Sequence, residues 1–122
     1  LESLRYRAPE LVAEALGASA QIDYMRGYPA TVNSVREAAF AASVGERIFG
    51  KGNVITDPTP TMGGEDFSYM LAERPGAYVW LGQGGGPGGC FLHHPDFDFN
   101  DEVIPLGAGY LAALVEEALP LK

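Results

Sequence analysis

The chain has 122 residues, 47% of them hydrophobic and 20% charged, which suits one soluble globular domain of ordinary size. Its formal net charge of −8 argues against nucleic acid and anionic membrane surfaces as partners, because Lys and Arg must meet phosphate there. A single cysteine, Cys90, permits no internal disulfide and makes a reducing, cytoplasmic setting the expectation; no signal-peptide pattern or bilayer-length apolar run is found.

The chain opens LESLRYRAPE, without an initiator Met and already patterned as helix, so it is expected to be a piece of a longer polypeptide. The spacing of Leu4, Leu11, Val12 and Leu16 predicts a helix over 4–17, kinked or split at Pro9 and stopped by Gly17. Residues 19–26 alternate, with Ala20, Ile22, Tyr24 and Arg26 opposite Gln21, Asp23 and Met25, which predicts a strand. Gly27 and Pro29 make GYPATVN, 27–33, a hinge-like connection. Ser34 and Glu37 then have the spacing of a capping box, opening an alanine-rich helix that runs to Gly50.

Residues 53–56, NVIT, predict a short buried strand, and 57–67 a loop punctuated by prolines and glycines. A short helix over 65–73 is closed by Pro75 and Gly76, and 77–82, AYVWLG, predicts a second buried strand. Residues 83–89 form a glycine-rich loop. A last helix begins near Ile104, with Pro105 suited to the first position and Leu106, Tyr110, Leu111, Leu114, Val115 and Leu119 at helical spacing. Strands separated by helices predict a layered α/β domain. Residues 1–27 hold one helix and one strand, too little to bury a core, and are expected to complete a domain whose other elements lie elsewhere.

The candidate chemistry lies in two loops. QGGGPGG lacks the Lys-Ser/Thr of a phosphate-binding loop and the Rossmann glycine frame, which leaves a plain surface loop. Cys90 has no adjacent cation or helix N-terminus to activate it, so a small buried hydrophobe outweighs a thiol nucleophile with His93 or His94 as base. The two histidines point to opposite faces of an extended backbone, and Pro95 favours such a backbone at His94. They follow an apolar run and precede a helix, where α/β sheets carry functional loops. Imidazole with nearby carboxylates suits a transition metal, yet there is no H-E-x-x-H or C-x-x-C, so a ligand and a structural histidine both stay open. Gly63, Gly64, Glu65 and Asp66 enter a helix. The acids can serve the helix dipole, or the glycines can bare N–H groups to an anion with a carboxylate at the site edge.

Three stretches, MGGEDFSYML (62–71), PGAYVWLGQG (75–84) and LHHPDFDFNDEVIPLGAGYLAALVEEAL (92–119), together resemble the C-terminal part of the hippurate hydrolase-type amidohydrolases. These belong to the aminoacylase and carboxypeptidase family of two-metal peptidases, and GYPATVN resembles that family's domain junction. The resemblance implies a layered α/β zinc-peptidase-like catalytic domain with an inserted α+β lid. Residues 1–28 would be the last helix and strand of the lid, or dimerisation, domain, and 29–122 the C-terminal part of the catalytic domain. It implies metal-dependent hydrolysis of N-acyl amino acids or related small amides by two divalent ions, zinc, manganese, cobalt or nickel, with a glutamate as general base.

Within that resemblance, the LH-x-P match aligns His93 with the family's last metal ligand, while His94 departs from the usual small polar residue. Glu65 matches an acid near the active site, and Gly63 and Gly64 the loop around it, with a role at the substrate or behind a ligand. The Cys-x-His motif, the Glu-Glu pair and the lid histidines all belong upstream and are not in this sequence. This chain alone is therefore expected to be inactive and not to hold two metals stably, and a homo-oligomer is possible. The alternative is a non-catalytic domain that uses the inherited pocket for a small acid or a partner; a thiol enzyme using Cys90 is a third.

Overall fold

The computed structural model describes residues 2–84 and 89–120. The described elements are helices α1 (Glu2–Ala15), α2 (Val35–Phe49), α3 (Phe67–Glu73) and α4 (Ile104–Ala118), with short 3-10 turns at Lys51–Asn53 and Asp101–Val103. Helix α1 ends where the sequence stops it. Gly17 takes φ 75°, Ala18 N–H donates to the Ala13 carbonyl at 2.8 Å and Gly17 N–H to that of Glu14 at 3.0 Å. This pair of bonds closes a helix over a left-handed residue that glycine adopts without a Cβ clash. The helix is not split at Pro9, and α1 runs through it. Proline's fixed φ is helical, so it removes one N–H from the ladder while the turns on either side persist.

The core lies between α2 and α4. Ala41, Val44 and Gly45 are buried on one stripe of α2, at helical spacing. From α4, Tyr110 is buried against them, its hydroxyl donating to the Ala41 carbonyl at 2.9 Å and its ring 5.8 Å from that of Phe49. Burial pushes its phenol pKa up. Gly45 is the close-approach point: a Cβ there would stand 3.4 Å from Val54 and 3.7 Å from the Tyr110 ring. Val103 is buried just ahead of α4, and Pro105 occupies the first turn as expected. Arg47 and Glu117 pair across the two helices at 3.1 Å, but both are more than half exposed, so the pair contributes little.

The expected capping box fails because a long-range partner outcompetes the local one. Ser34 stands at the N-cap of α2 with extended backbone, yet it caps nothing and the capping box does not form. Its hydroxyl accepts from Gly76 N–H at 3.2 Å, its own N–H donates to the Gly76 carbonyl at 2.9 Å, and Glu37 pairs with Arg36 instead.

The expected strands at 19–26, 53–56 and 77–82 also do not form among the described residues, whose regular structure is helical rather than a layered α/β sheet. A strand exists by pairing, and no described segment offers these residues a ladder. Nor is 77–82 buried: Val79, Trp80 and Leu81 are 47%, 66% and 45% exposed. Side-chain amides take up the backbone at both ends of this segment. Asn33 bonds Tyr78, and the Asn100 N–H and amide donate to the Gln83 side-chain and backbone carbonyls, each at 3.1 Å. In the middle, Leu81 leans on α4 where Gly107 has no side chain; a Cβ there would be 3.0 Å from Leu81.

Tyr110→Phe keeps the ring and removes the bond to Ala41, so it is expected to cost about 1 kcal/mol. Gly45→Leu overfills the approach of Tyr110 and Val54 and is expected to cost about 1–3 kcal/mol. Urea unfolding of the two variants checks both the sign and the order.

Candidate functional site

The candidate residues fall on two separate loops. The first precedes α3, whose first turn carries no acid; Asp66 takes the N-cap position without a capping side chain. Glu65 is half-buried and turned back onto the fold. One carboxylate oxygen accepts the Phe67 N–H at 3.2 Å, and the other accepts the Tyr78 hydroxyl at 2.8 Å. The Tyr78 hydroxyl, and after it the Phe67 N–H, hold the Glu65 carboxyl below the usual carboxylate range. The same bond pushes the Tyr78 phenol up. Glu65 is thus fixed as an anion at both oxygens, with lone pairs left for a further donor.

The surroundings of Glu65 are built by residues far away in sequence. Tyr78 packs its ring on Phe67 at 5.5 Å, and its backbone is clamped by the Asn33 amide: Tyr78 N–H donates to Oδ1 at 2.7 Å, and Nδ2 donates to the Tyr78 carbonyl at 2.9 Å. Gly64 passes under Tyr28 so closely that a Cβ would sit 2.9 Å from the ring, and Tyr28 stands edge-on to Tyr69 at 5.7 Å. Gly63 is exposed, with only the Thr61 hydroxyl, 3.9 Å away, near its Cβ direction.

The second loop carries His93 in a turn rather than in extended backbone. His93 has φ 70°, a left-handed conformation uncommon for a residue with a side chain. His94 serves the turn itself. Its N–H donates to the Phe91 carbonyl at 3.2 Å, and its Nδ1 accepts from Asp96 N–H at 3.1 Å, which leaves the proton of the neutral ring on Nε2. The Asp96 carboxylate lies 3.8 Å from that Nδ1 and forms an ion pair only when the ring is protonated. His93 is exposed and its imidazole has no hydrogen bond among the described residues. The doublet therefore divides its labour, one ring tied into the loop and one presented to the surroundings.

Cys90 is half-buried. The glycine-rich loop expected at 83–89 lies mostly outside the described residues; Gly84 and Gly89, on either side, have φ 71° and 56°.

No bond or ion pair joins His93 to Glu65 among the described residues, and no group of three or more His, Cys, Asp or Glu there could hold a metal ion. One exposed imidazole does not make a metal site. The residues that sequence reasoning missed are Tyr78 and Asn33. The signals were small: one phenol in the otherwise apolar 77–82, and an amide as the last residue before an N-cap serine.

Residues 7–117 match the model of peptidase family M20/M25/M40. The YhaA protein of Bacillus subtilis, which carries an amidohydrolase name, is 38% identical over 98 residues, covering 79% of this chain and 24% of its own length. Hippurate hydrolase of Campylobacter jejuni is 28% identical over 109 residues, 89% of this chain and 28% of its own. N-acetylcysteine deacetylase of Bacillus subtilis is 30% identical over 108 residues, 88% of this chain and 27% of its own. The chain spans about a quarter of the length of the curated relatives it matches. No solved structure matches it.

Because the folded-state pKa of Glu65 is lowered, its contribution to stability is present above the ordinary carboxylate range and is lost as pH falls through the lowered value. Tyr78→Phe removes the main cause, so the Glu65 carboxyl is expected to titrate at higher pH, read from its carboxyl carbon by NMR. An unmoved titration means the hydroxyl does not set it.

Proposed function

The chain belongs to peptidase family M20/M25/M40, and from that premise we propose that it works as the C-terminal part of a hydrolase that splits the amide bond of N-acyl amino acids or related small amides. The observation that carries this is the family match over 7–117, with relatives named amidohydrolase, hippurate hydrolase and N-acetylcysteine deacetylase. In this proposal residues 29–122 complete a layered α/β catalytic domain and 1–28 end an inserted lid. The exposed apolar side chains of Leu11 and Val12 on α1, of Leu16 just after it, and of Val79, Trp80 and Leu81, support it, because a neighbouring layer is what such surfaces call for. The same surfaces favour self-association. The single cysteine supports a reducing, cytoplasmic setting. No described helix is long and apolar enough to cross a membrane.

We assign His93 as one ligand of a site of two divalent ions, zinc, manganese, cobalt or nickel, whose other ligands lie outside this chain. Its exposure supports this, as does the contrast with His94, whose Nδ1 is already engaged by Asp96. Such ions, when bound, supply an activated water and polarise the scissile carbonyl. Glu65 serves the edge of the site as a fixed anion that accepts a hydrogen bond from the substrate or from a neighbouring side chain.

In the complete protein, His93→Ala is expected to abolish hydrolysis of hippurate and N-acetylcysteine and to lower the metal retained after dialysis. His94→Ala is expected to leave metal content close to that of the parent. Full activity with His93→Ala contradicts the assignment.

A further inference from the structure

Glu65 owes its orientation to residues remote from it in sequence, and these form a continuous path. The Tyr78 hydroxyl meets one carboxylate oxygen at 2.8 Å while the Phe67 N–H meets the other at 3.2 Å, so the plane and direction of the carboxylate are both set. Tyr78 is itself held at its backbone by the two opposed bonds from the Asn33 amide, at 2.7 and 2.9 Å. Next to it, Ser34 and Gly76 exchange another pair, at 2.9 and 3.2 Å. The same stretch reaches the Glu65 loop directly, since Tyr28 lies over Gly64. Residues 28–34 therefore grip both the carboxylate's loop and the tyrosine that aims it.

We infer that Tyr78 is a positioning residue for the Glu65 carboxylate, and that Asn33 positions Tyr78 in turn, so that the connecting segment 28–34 sets the geometry of the site edge. The geometry favours this over a merely structural bond for two reasons. First, holding a long, half-exposed acid at both oxygens costs side-chain entropy, which a surface carboxylate with no task would keep. Second, the Asn33 clamp replaces, at one residue, the paired backbone bonds that a neighbouring strand would supply, and it does so at the residue whose side chain meets Glu65. Tyr78 also keeps its ring on Phe67, the residue whose N–H completes the hold on the carboxylate.

The inference rests on the proposal that Glu65 serves the amide-hydrolase site, and a double-mutant cycle on the complete enzyme separates the two. Hydrolysis of hippurate or N-acetylcysteine, whichever is turned over faster, is measured for Tyr78→Phe, Glu65→Gln and the pair. Tyr78→Phe alone is expected to lower kcat/KM roughly tenfold, as for loss of a hydrogen bond to a charged group. In the Glu65→Gln background it should change kcat/KM by less than about twofold, because a residue acting through Glu65 has nothing left to position. Asn33→Ala should lower kcat/KM in the parent and lose that effect in Glu65→Gln. Equal losses from Tyr78→Phe in both backgrounds, or none in the parent, overturn the positioning role. Glu65→Gln with unchanged kinetics overturns the assignment of Glu65 to the site, and the positioning role with it. NMR titration of Glu65 then identifies which part failed: a carboxyl that moves with Tyr78→Phe shows the contact intact and the site assignment at fault. Tyr78→Phe retains the aromatic packing, and a cooperative urea transition that begins well above the assay conditions shows that the variant is folded when its kinetics are read.

Discussion

One side-chain amide organises this molecule. Asn33 offers an acceptor and a donor to the backbone of Tyr78, and that exchange fixes the segment 76–83 in the absence of any described strand beside it. The neighbouring exchange between Ser34 and Gly76 lengthens the same seam. With the seam in place, the phenol of Tyr78 reaches Glu65, and Leu81 reaches the gap left by Gly107 on α4. At the far end Asn100 joins Gln83 and, through Oδ1, caps the 3-10 turn ahead of α4. Backbone N–H and C=O groups are strong hydrogen-bonding groups, and here side chains supply the partners where a sheet would use backbone.

The energetics follow from what is buried and what is not. The contact of α2 with α4 around Val44, Gly45 and Tyr110 is a real but thin core. Much apolar surface faces outward, on α1, on 79–81 and on α4, where Ile104, Leu111 and Val115 are 55%, 62% and 59% exposed. A stable domain hides surface of this kind against another layer. The stretch matched makes up only 24% and 28% of the length of two of its relatives, which is in keeping with a neighbour for those faces.

How much of this was legible in the sequence depends on how local each feature is. Helix α2 follows from its alanine-rich run and α4 from apolar periodicity, and limits of each from Gly50 and Pro105, because those signals act within a turn or two. The strands did not follow, since pairing is a property of two segments and the described residues bring no second one. Ser34 was readable as a cap only while Gly76, 42 residues away, was unseen. The tie between Tyr78 and Glu65 was hidden because a phenol in an apolar run looks like packing until its partner is known. The histidine doublet shows both sides. Its place between an apolar segment and a helix was plain from sequence. The division between a turn-bound His94 and a free-standing His93 came from a left-handed φ at His93 that no spacing rule predicts.

We propose, as the centre of this account, that His93 and Glu65 are two walls of one hydrolytic site whose other walls lie outside this chain. The most direct measurement is diffraction from crystals of the complete enzyme with an N-acyl amino acid analogue, collected at the absorption edge of the metal present. The account predicts an anomalous peak within coordination distance of the His93 imidazole, and the Glu65 carboxylate facing the ligand pocket with its bond from Tyr78 retained. A metal centre assembled without His93, with its ring left in solvent, would contradict it.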